Sequence, residues 1–279
     1  HNGITSLDVS NNTALTILDY FDNTATSLNL TGITTLTELR CGDNQLTSLD
    51  LSSNTALITL QCSNNQLTSL DVSNNTALIG LSCQDNQLTS LDLSNNTALG
   101  TFECTSNQIT ALDVSNNIEL SWFKCGQNQL TSLDVSSNPN LNFLICSHNQ
   151  LTSLDVSSNT ALTYLNCGSN QLTSLDVGSN TALTYLQCYT NQLTYLNMRN
   201  GITDQLSNFN ATDNSLTCIE TLDPDYATAN WTSDNENIDA GVTFSVICGS
   251  ANQDEWYVAT TGSDGGGSGT QESPFATIQ

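Results

Sequence analysis

A repeat of 21 residues runs from about Ile4 to Met198, and it constrains the fold more than any other feature of the chain. Cysteine recurs at this spacing at Cys41, Cys62, Cys83, Cys104, Cys125, Cys146, Cys167 and Cys188. Aspartate keeps the same spacing at Asp50, Asp71, Asp92, Asp113, Asp134, Asp155 and Asp176. Because a fixed period of this length is the signature of stacked structural units, the sequence predicts a solenoid.

Each unit contains the pattern Leu-x-x-Leu-x-apolar-x-x-Asn twice. In one unit the first copy runs from Leu57 to Asn65 and the second from Leu67 to Asn75. Alternating apolar and polar residues predict a strand with one buried face, and the Asn-rich stretch after it predicts a turn. We therefore expect a mainly β solenoid of roughly nine coils, with two short parallel sheets and a core of Leu, Val, Cys and Ala.

The doubled half-repeat resembles leucine-rich repeats, specifically the bacterial IRREKO class, whose unit nests two shorter halves. The motif Leu-Thr-Ser-Leu-Asp-Val-Ser-x-Asn-Thr-Ala-Leu is similar to repeats of secreted proteins from marine Bacteroidetes. This resemblance implies a recognition or adhesion module that is secreted or lies on the outer cell surface.

The repeat becomes irregular after Asn197, and the sequence predicts that the chain has three parts. Residues 1–201 form the leucine-rich repeat solenoid, and 202–250 form a non-repeat C-terminal cap over its last coil. Residues 251–279 form a linker and the truncated start of another module. The segments Trp-Tyr-Val and Ser-Pro-Phe-Ala-Thr-Ile-Gln in this part resemble the N-terminal start of right-handed parallel β-helix domains, many of which are polysaccharide lyases or adhesins.

The charge of the chain limits its partners. The formal net charge is -24, and the basic residues are Arg40, Lys124 and Arg199 alone, so the chain cannot neutralise a row of nucleic-acid phosphates.

No apolar run approaches the roughly 20 residues that span a bilayer, so we expect no membrane insertion. We expect a monomer without catalytic activity or a required cofactor, because no nucleophile and base and no distinct carboxylate pair stand out.

The cysteines of the repeat are predicted to be buried thiols. Stacked strands place their Cβ atoms about 4.8 Å apart, whereas a disulfide needs about 3.8 Å, and no Cys-x-x-Cys zinc motif occurs. Cys218 and Cys248 lie off the repeat and flank the predicted cap. We expect a disulfide between these two, which suits an extracellular protein.

The outward aspartates of the second strand form a constant row. We expect a solvated acidic face that keeps the chain soluble. Weak Ca²⁺ binding along the row is the alternative, because carboxylate and hydroxyl oxygens are Ca²⁺ ligands. The candidate ligands are Asp71, Asp92, Asp113, Asp134 and Asp155.

The outward positions of the cysteine strand vary from coil to coil, so a requirement other than the scaffold determines them. Consecutive coils carry aromatic residues at Trp122, Phe143, Tyr164 and Tyr185, and the neighbouring row includes Lys124 and Arg40. We predict that these six residues bind a polysaccharide or a surface protein. Structural stacking between neighbouring strands and cover by the cap or by the following module are alternatives. At the level of function, the alternative is a stalk that binds nothing and presents a polysaccharide-active β-helix domain.

Overall fold

The computed structural model describes residues 3–249, and its regular elements are short strands with two brief helices. In chain order they are β1 (Ser6–Asp8), β2 (Ile17–Asp19), β3 (Ser27–Asn29), β4 (Glu38–Arg40), β5 (Thr59–Gln61), β6 (Gly80–Ser82), β7 (Thr101–Glu103), β8 (Trp122–Lys124), β9 (Phe143–Ile145), β10 (Tyr164–Asn166), β11 (Ser174–Asp176), β12 (Tyr185–Gln187), β13 (Tyr195–Met198), a 3-10 helix (Thr203–Gln205), β14 (Asn208–Asn210), β15 (Cys218–Thr221), α1 (Pro224–Asn230) and β16 (Thr243–Ser245).

Ten strands form one continuous parallel sheet, which we call the Cys side because a cysteine directly follows eight of them. The order along this sheet is β2, β4, β5, β6, β7, β8, β9, β10, β12 and β14. Residues one repeat apart are register partners, as Leu60 and Leu81 are. The predicted parallel solenoid is confirmed, with about eleven coils instead of roughly nine. The additional coils arise partly because β14 and β15, from the segment predicted as a cap, extend the two sides.

The opposite, Asp side carries strands only at its two ends within the described residues. β1 pairs with β3, and β11, β13, β15 and β16 form a parallel group of four. In the central coils the Ser-Leu-Asp segment contributes no strand pairing to the described structure. The second sheet is therefore interrupted.

Charge differs between the paired coils and most of the unpaired coils of the Asp side. Where strands do pair, Asn29 lies opposite Asp8 and Asn197 lies opposite Asp176. Asn197 Nδ2 donates to Asp176 Oδ1 at 3.0 Å. In the central coils aspartate neighbours aspartate, and like charges directly opposite each other destabilise strand pairing. Repulsion therefore accounts for the missing pairing along the row from Asp50 to Asp176. Asn29 also neighbours Asp50, and no strand forms at Asp50, so an asparagine by itself does not restore pairing.

The core consists of the inward residues of both sides. On β5, Leu60 is fully buried while Thr59 and Gln61 are half-buried, and Cys62 directly after the strand is also fully buried. Burying a Leu side chain contributes about 1.5–3 kcal/mol relative to exposure, so the repeated leucines supply most of the driving force for folding.

Asparagine closes the turn after each strand of the Cys side, as predicted. Asn64 adopts a left-handed backbone conformation with φ 51°. The buried Asn65 side chain then donates from Nδ2 to the Cys41 and Cys62 carbonyl oxygens, at 3.0 and 3.2 Å. Its Oδ1 accepts from Leu46 N at 2.9 Å. One side chain therefore joins successive coils and fixes the turn.

The eight cysteines of the repeat are free and buried, as predicted. Burial raises the pKa of the Cys62 thiol to about 12, so this thiol stays protonated at neutral pH. Cys218 and Cys248 are disulfide-bonded, in agreement with the bridge predicted for them.

The chain divides into two compact units, His1–Val246 and Ile247–Gln279. The predicted boundary after residue 201 falls inside the first unit, and the predicted β-helix-like start at 251–279 lies outside the described residues. Among residues 3–249, no helix has the length and apolar character needed to cross a membrane.

The segment after the last full coils contains α1 and an aromatic cluster. α1 begins with Pro224 in its first turn, and the Asp223 side chain accepts from Tyr226 N at 3.0 Å. Trp231 directly follows α1 and is buried, with its ring centroid 4.5 Å from that of Phe209 on β14. Aromatic packing therefore attaches α1 to the end of the Cys side.

Candidate binding face

Four aromatic rings on adjacent strands form a continuous stack on the Cys side, and we call this stack the aromatic ladder. Its members are Trp122, Phe143, Tyr164 and Tyr185, which are register partners in this order. Successive ring centroids are 3.6, 4.2 and 3.9 Å apart, and successive ring planes differ by 5°, 16° and 10°. All four side chains are half-buried. The ladder therefore combines structural stacking with an exposed surface.

The stack determines which parts of the rings a partner can contact. Phe143 and Tyr164 each have a neighbouring ring on both faces, so mainly their edges remain for a ligand. Burial raises the pKa of the Tyr164 hydroxyl, and a hydrogen bond with Tyr185 raises it further. Tyr164 therefore stays protonated at physiological pH and can donate a hydrogen bond.

Lys124 lies beside the ladder, as predicted from its position in the outward row that neighbours the aromatic residues. Its Nζ is 3.0 Å from Glu103 Oε1, and 5.0 Å from the centroid of the Trp122 ring. Trp122 Nε1 also donates to Glu103 Oε1, at 3.1 Å. The Glu103 carboxylate therefore holds both the cation and the indole in place, which is a positioning role that the sequence did not reveal.

Arg40 is not part of this cluster. It lies on β4, four strands from β8, which places it roughly 19 Å from Trp122 at the usual strand spacing. Its Nε contacts Glu38 Oε1 at 2.6 Å, and its Nη1 lies 3.8 Å from Asp19 Oδ2. The structure thus brings five of the six predicted residues together and leaves Arg40 in a separate acidic neighbourhood.

Tyr189 extends the aromatic surface next to the ladder. It lies close enough to Tyr164 to contribute to the raised pKa of the Tyr164 hydroxyl. A Cβ at Gly168 would lie 2.6 Å from Tyr189 Cε1, so only glycine leaves room for the Tyr189 ring. The glycine directly after Cys167 was the one signal in the sequence for this contact.

The aspartate row of the Asp side is engaged locally. Asp113 Oδ1 accepts from Ser115 N at 2.9 Å, and the same bond recurs at the other predicted aspartates. Hydrogen bonds from Ser115 lower the pKa of Asp113. Among residues 3–249, no group of three or more His, Cys, Asp or Glu side chains is placed to hold a metal ion. Weak Ca²⁺ binding at this row stays a prediction, for which NaCl of equal ionic strength is the necessary control.

The fold and the repeat agree with known leucine-rich repeat proteins. The family profile described as leucine rich repeats (2 copies) matches residues 139–180. The functional domain of InlJ from Listeria monocytogenes, described as including a cysteine ladder, shares 39% sequence identity at a TM-score of 0.74. The match covers 78% of this chain and 53% of that chain. No curated protein matches the sequence.

Two further solved structures share the fold at lower identity. The internalin InlF from Listeria monocytogenes is 23% identical, with a TM-score of 0.60 over 73% of this chain and 69% of that chain. A leucine-rich repeat protein from Leptospira interrogans is 21% identical, with a TM-score of 0.55 over 78% and 75% of the two chains. Proteins of this class are typically non-enzymatic binding scaffolds. The chain is therefore a leucine-rich repeat protein that is structurally similar to the Listeria internalins.

Proposed function

We propose that this chain is a secreted or cell-surface module that binds a surface protein, with the aromatic ladder at the centre of its binding face. The observation that carries this proposal is the stack of four half-buried rings at positions that the 21-residue repeat leaves free. Aromatic side chains are enriched among the residues that dominate protein interfaces. Leucine-rich repeat solenoids also generally mediate protein binding.

The ring geometry favours a protein over a polysaccharide as the partner of the ladder. A sugar binds an aromatic residue by lying on the face of its ring. Phe143 and Tyr164 have both faces covered by neighbouring rings. Ring edges and tyrosine hydroxyls suit side chains and backbone groups of a protein better, because these can approach from the side.

The disulfide and the charge support an extracellular site of action. Disulfides form and persist in oxidising compartments, and Cys218 and Cys248 are both disulfide-bonded. A net charge of -24 accelerates encounter with a basic partner and discourages contact with other acidic surfaces.

The test compares a ladder variant with a matched variant of the same sheet. Trp122→Ala/Tyr164→Ala shortens the ladder, and Thr59→Ala/Gln61→Ala removes outward side chains on β5, away from it. Wild type and both variants are measured against immobilised extracellular proteins, together with their thermal melting. We expect wild type and the β5 variant to bind the same proteins, and the ladder variant to bind them at least about tenfold more weakly.

The competing function is a stalk that presents a polysaccharide-active module without binding a protein itself. Equal binding by wild type and the ladder variant, or no bound protein at all, would favour the stalk. The ladder variant must remain folded, because a loss of folding would remove binding under either function. Loss of ring stacking should lower its melting temperature, so a cooperative melting transition well above the assay temperature is the criterion.

A further inference from the structure

A cavity of about 410 Å³ lies at the C-terminal end of the Cys side, next to the aromatic ladder. It opens between β14 and the segment that contains α1, and its lining includes Gln187, Asn208, Tyr226, Asn230, Trp231 and Asn235. Asn208 is the register partner of Tyr185, so the cavity begins one strand beyond the last ring of the ladder. Its volume falls within the range of roughly 300–1,000 Å³ that is usual for small-molecule sites.

The walls of the cavity are held in place by packing and hydrogen bonds. Trp231 is buried against Phe209 beneath them. Asn237 Nδ2 donates to the Phe209 carbonyl oxygen at 2.8 Å, and the Asn237 carbonyl oxygen accepts from Ala211 N at 2.7 Å. The loop that contains Asn237 therefore hydrogen-bonds to the edge of β14, as a neighbouring strand would. These bonds fix the wall of the cavity in the absence of a ligand.

The amides that line the cavity keep both donors and acceptors available. Gln187 Nε2 donates to Asn208 Oδ1, and Asn230 Nδ2 donates to the Tyr226 carbonyl oxygen at 2.9 Å. Asn235 Nδ2 donates to the Asn230 carbonyl oxygen at 3.5 Å. Asn208 Nδ2 and the Oδ1 atoms of Asn230 and Asn235 make no hydrogen bond within residues 3–249. A ligand with hydroxyl groups, each a donor and an acceptor, complements this set.

The charges of the lining exclude other ligand classes. The described lining residues include no Lys, Arg or His, and Glu236 places a carboxylate at the cavity. Anionic ligands would meet repulsion from this carboxylate without a compensating cation. The lining is mainly polar, so an apolar side chain of a peptide would find little surface to bury against.

We propose that this cavity binds a residue of a neutral saccharide, with Asn208, Asn230 and Asn235 as hydrogen-bond partners and Tyr226 as an aromatic wall. The site goes beyond the proposed protein binding and does not depend on it, because none of these residues belongs to the aromatic ladder. The two sites are adjacent, so a partner that carries sugar could occupy both.

The experiment probes the full chain on an array of neutral, sialylated and sulfated oligosaccharides. Asn208→Ala/Asn235→Ala removes two of the partners, and Asn116→Ala, an exposed asparagine of the Asp side, is the matched control. We expect wild type and the control to bind neutral oligosaccharides only, and the double variant to lose at least about tenfold in affinity. Should the double variant misfold, Asn208→Asp keeps the size of the side chain, replaces the Nδ2 donor by a carboxylate oxygen and should lose the same binding.

Several results would overturn the proposal. These are no binding of a neutral oligosaccharide by wild type, preference for the sialylated or sulfated ones, or equal binding by wild type and a folded cavity variant. Displacement of the sugar by unglycosylated peptides would instead indicate a peptide site. The ladder variant Trp122→Ala/Tyr164→Ala separates the two functions, because it should retain oligosaccharide binding even if protein binding fails its own test.

Discussion

The two sides of the solenoid differ in how constant their outward residues are. On the Cys side the inward residues are nearly uniform, as Leu60 and Cys62 illustrate, and the outward residues change from coil to coil. On the Asp side the outward residues are also uniform, and each aspartate accepts a hydrogen bond from the backbone two residues later. Within residues 3–249, the strands pair continuously on the first side and only at the ends of the second.

This difference shows what a stacked strand tolerates on its outer face. Aromatic, amide and charged residues of both signs all occur on the outward positions of the Cys side, and pairing persists through every coil from β2 to β14. Within residues 3–249, strand pairing is absent along the row of like charges from Asp50 to Asp176. Outward variety on the Cys side is therefore free to serve binding, whereas the aspartates of the Asp side each accept a local turn bond.

The largest expected effect is a loss of stability at alkaline pH, which arises from the buried thiols of the Cys side. The ordinary pKa of a thiol is 9.0, whereas burial raises the pKa of the Cys62 thiol to about 12. Stability is therefore fully present below pH 9 and declines as the pH rises towards 12. Each such thiol lowers the free energy of unfolding by about 1 kcal/mol per pH unit in this range, so the eight together remove several kcal/mol by pH 10.

Urea denaturation followed by far-UV circular dichroism from pH 7 to 10.5 measures this decline. The variant Cys104→Ala/Cys125→Ala removes two thiols and should show a shallower decline above pH 9 than wild type. A decline that is equally steep in this variant would assign the alkaline sensitivity to groups other than the cysteines.

The second expected effect compares the same substitution on the two sides of one coil. Leu144 on β9 and Leu154 on the Asp side have exposed fractions of 0% and 7%. We expect Leu144→Ala to lower the free energy of unfolding by about 4 kcal/mol and Leu154→Ala by about 2 kcal/mol. The reason is that the paired strands around Leu144 resist collapse into the cavity, whereas the unpaired Asp side can adjust. Equal losses in urea denaturation would show that strand pairing does not stiffen the Cys side.

Periodicity carried most of the fold prediction. The alternation around Leu60 and Cys62 predicted both the strand and its buried face, and the asparagine after it predicted the turn that Asn65 now closes. Periodicity did not predict the interruption of the Asp side, because the paired strands there lie where the repeat changes, as at Asn29 and Asn197. The number of coils was underestimated because the last strands follow irregular spacings, such as the 23 residues from Tyr185 to Asn208.

The candidate site was predictable to a similar extent. The repeat predicted that the four aromatic residues lie on consecutive coils. The face-to-face stacking of their rings is visible only in the structure. Arg40 lies on the same face as the ladder, as the sequence predicted. Its distance from the ladder follows only when the four strand spacings between β4 and β8 are added, and the sequence prediction did not include that step. The cavity could not be predicted, because α1 and the loop after it have no repeat that fixes their position.

The smallest expected effect tests the origin of the interruption on the Asp side. Asp113→Asn places an amide between Asp92 and Asp134, as Asn197 is placed after Asp176. The new Nδ2 can donate to Asp92, while its Oδ1 can still accept from Ser115 N, so repulsion is removed and the turn bond is kept. We expect the melting temperature to rise by less than about 3 °C at low ionic strength, and this rise to diminish with added NaCl. The matched variant Asp113→Ala relieves the same repulsion but loses the bond to Ser115 N, so it should melt below Asp113→Asn. If Asp113→Asn melts no higher than wild type at low ionic strength, or if added NaCl leaves the difference between Asp113→Asn and wild type unchanged, charge repulsion is not what interrupts strand pairing in the central coils.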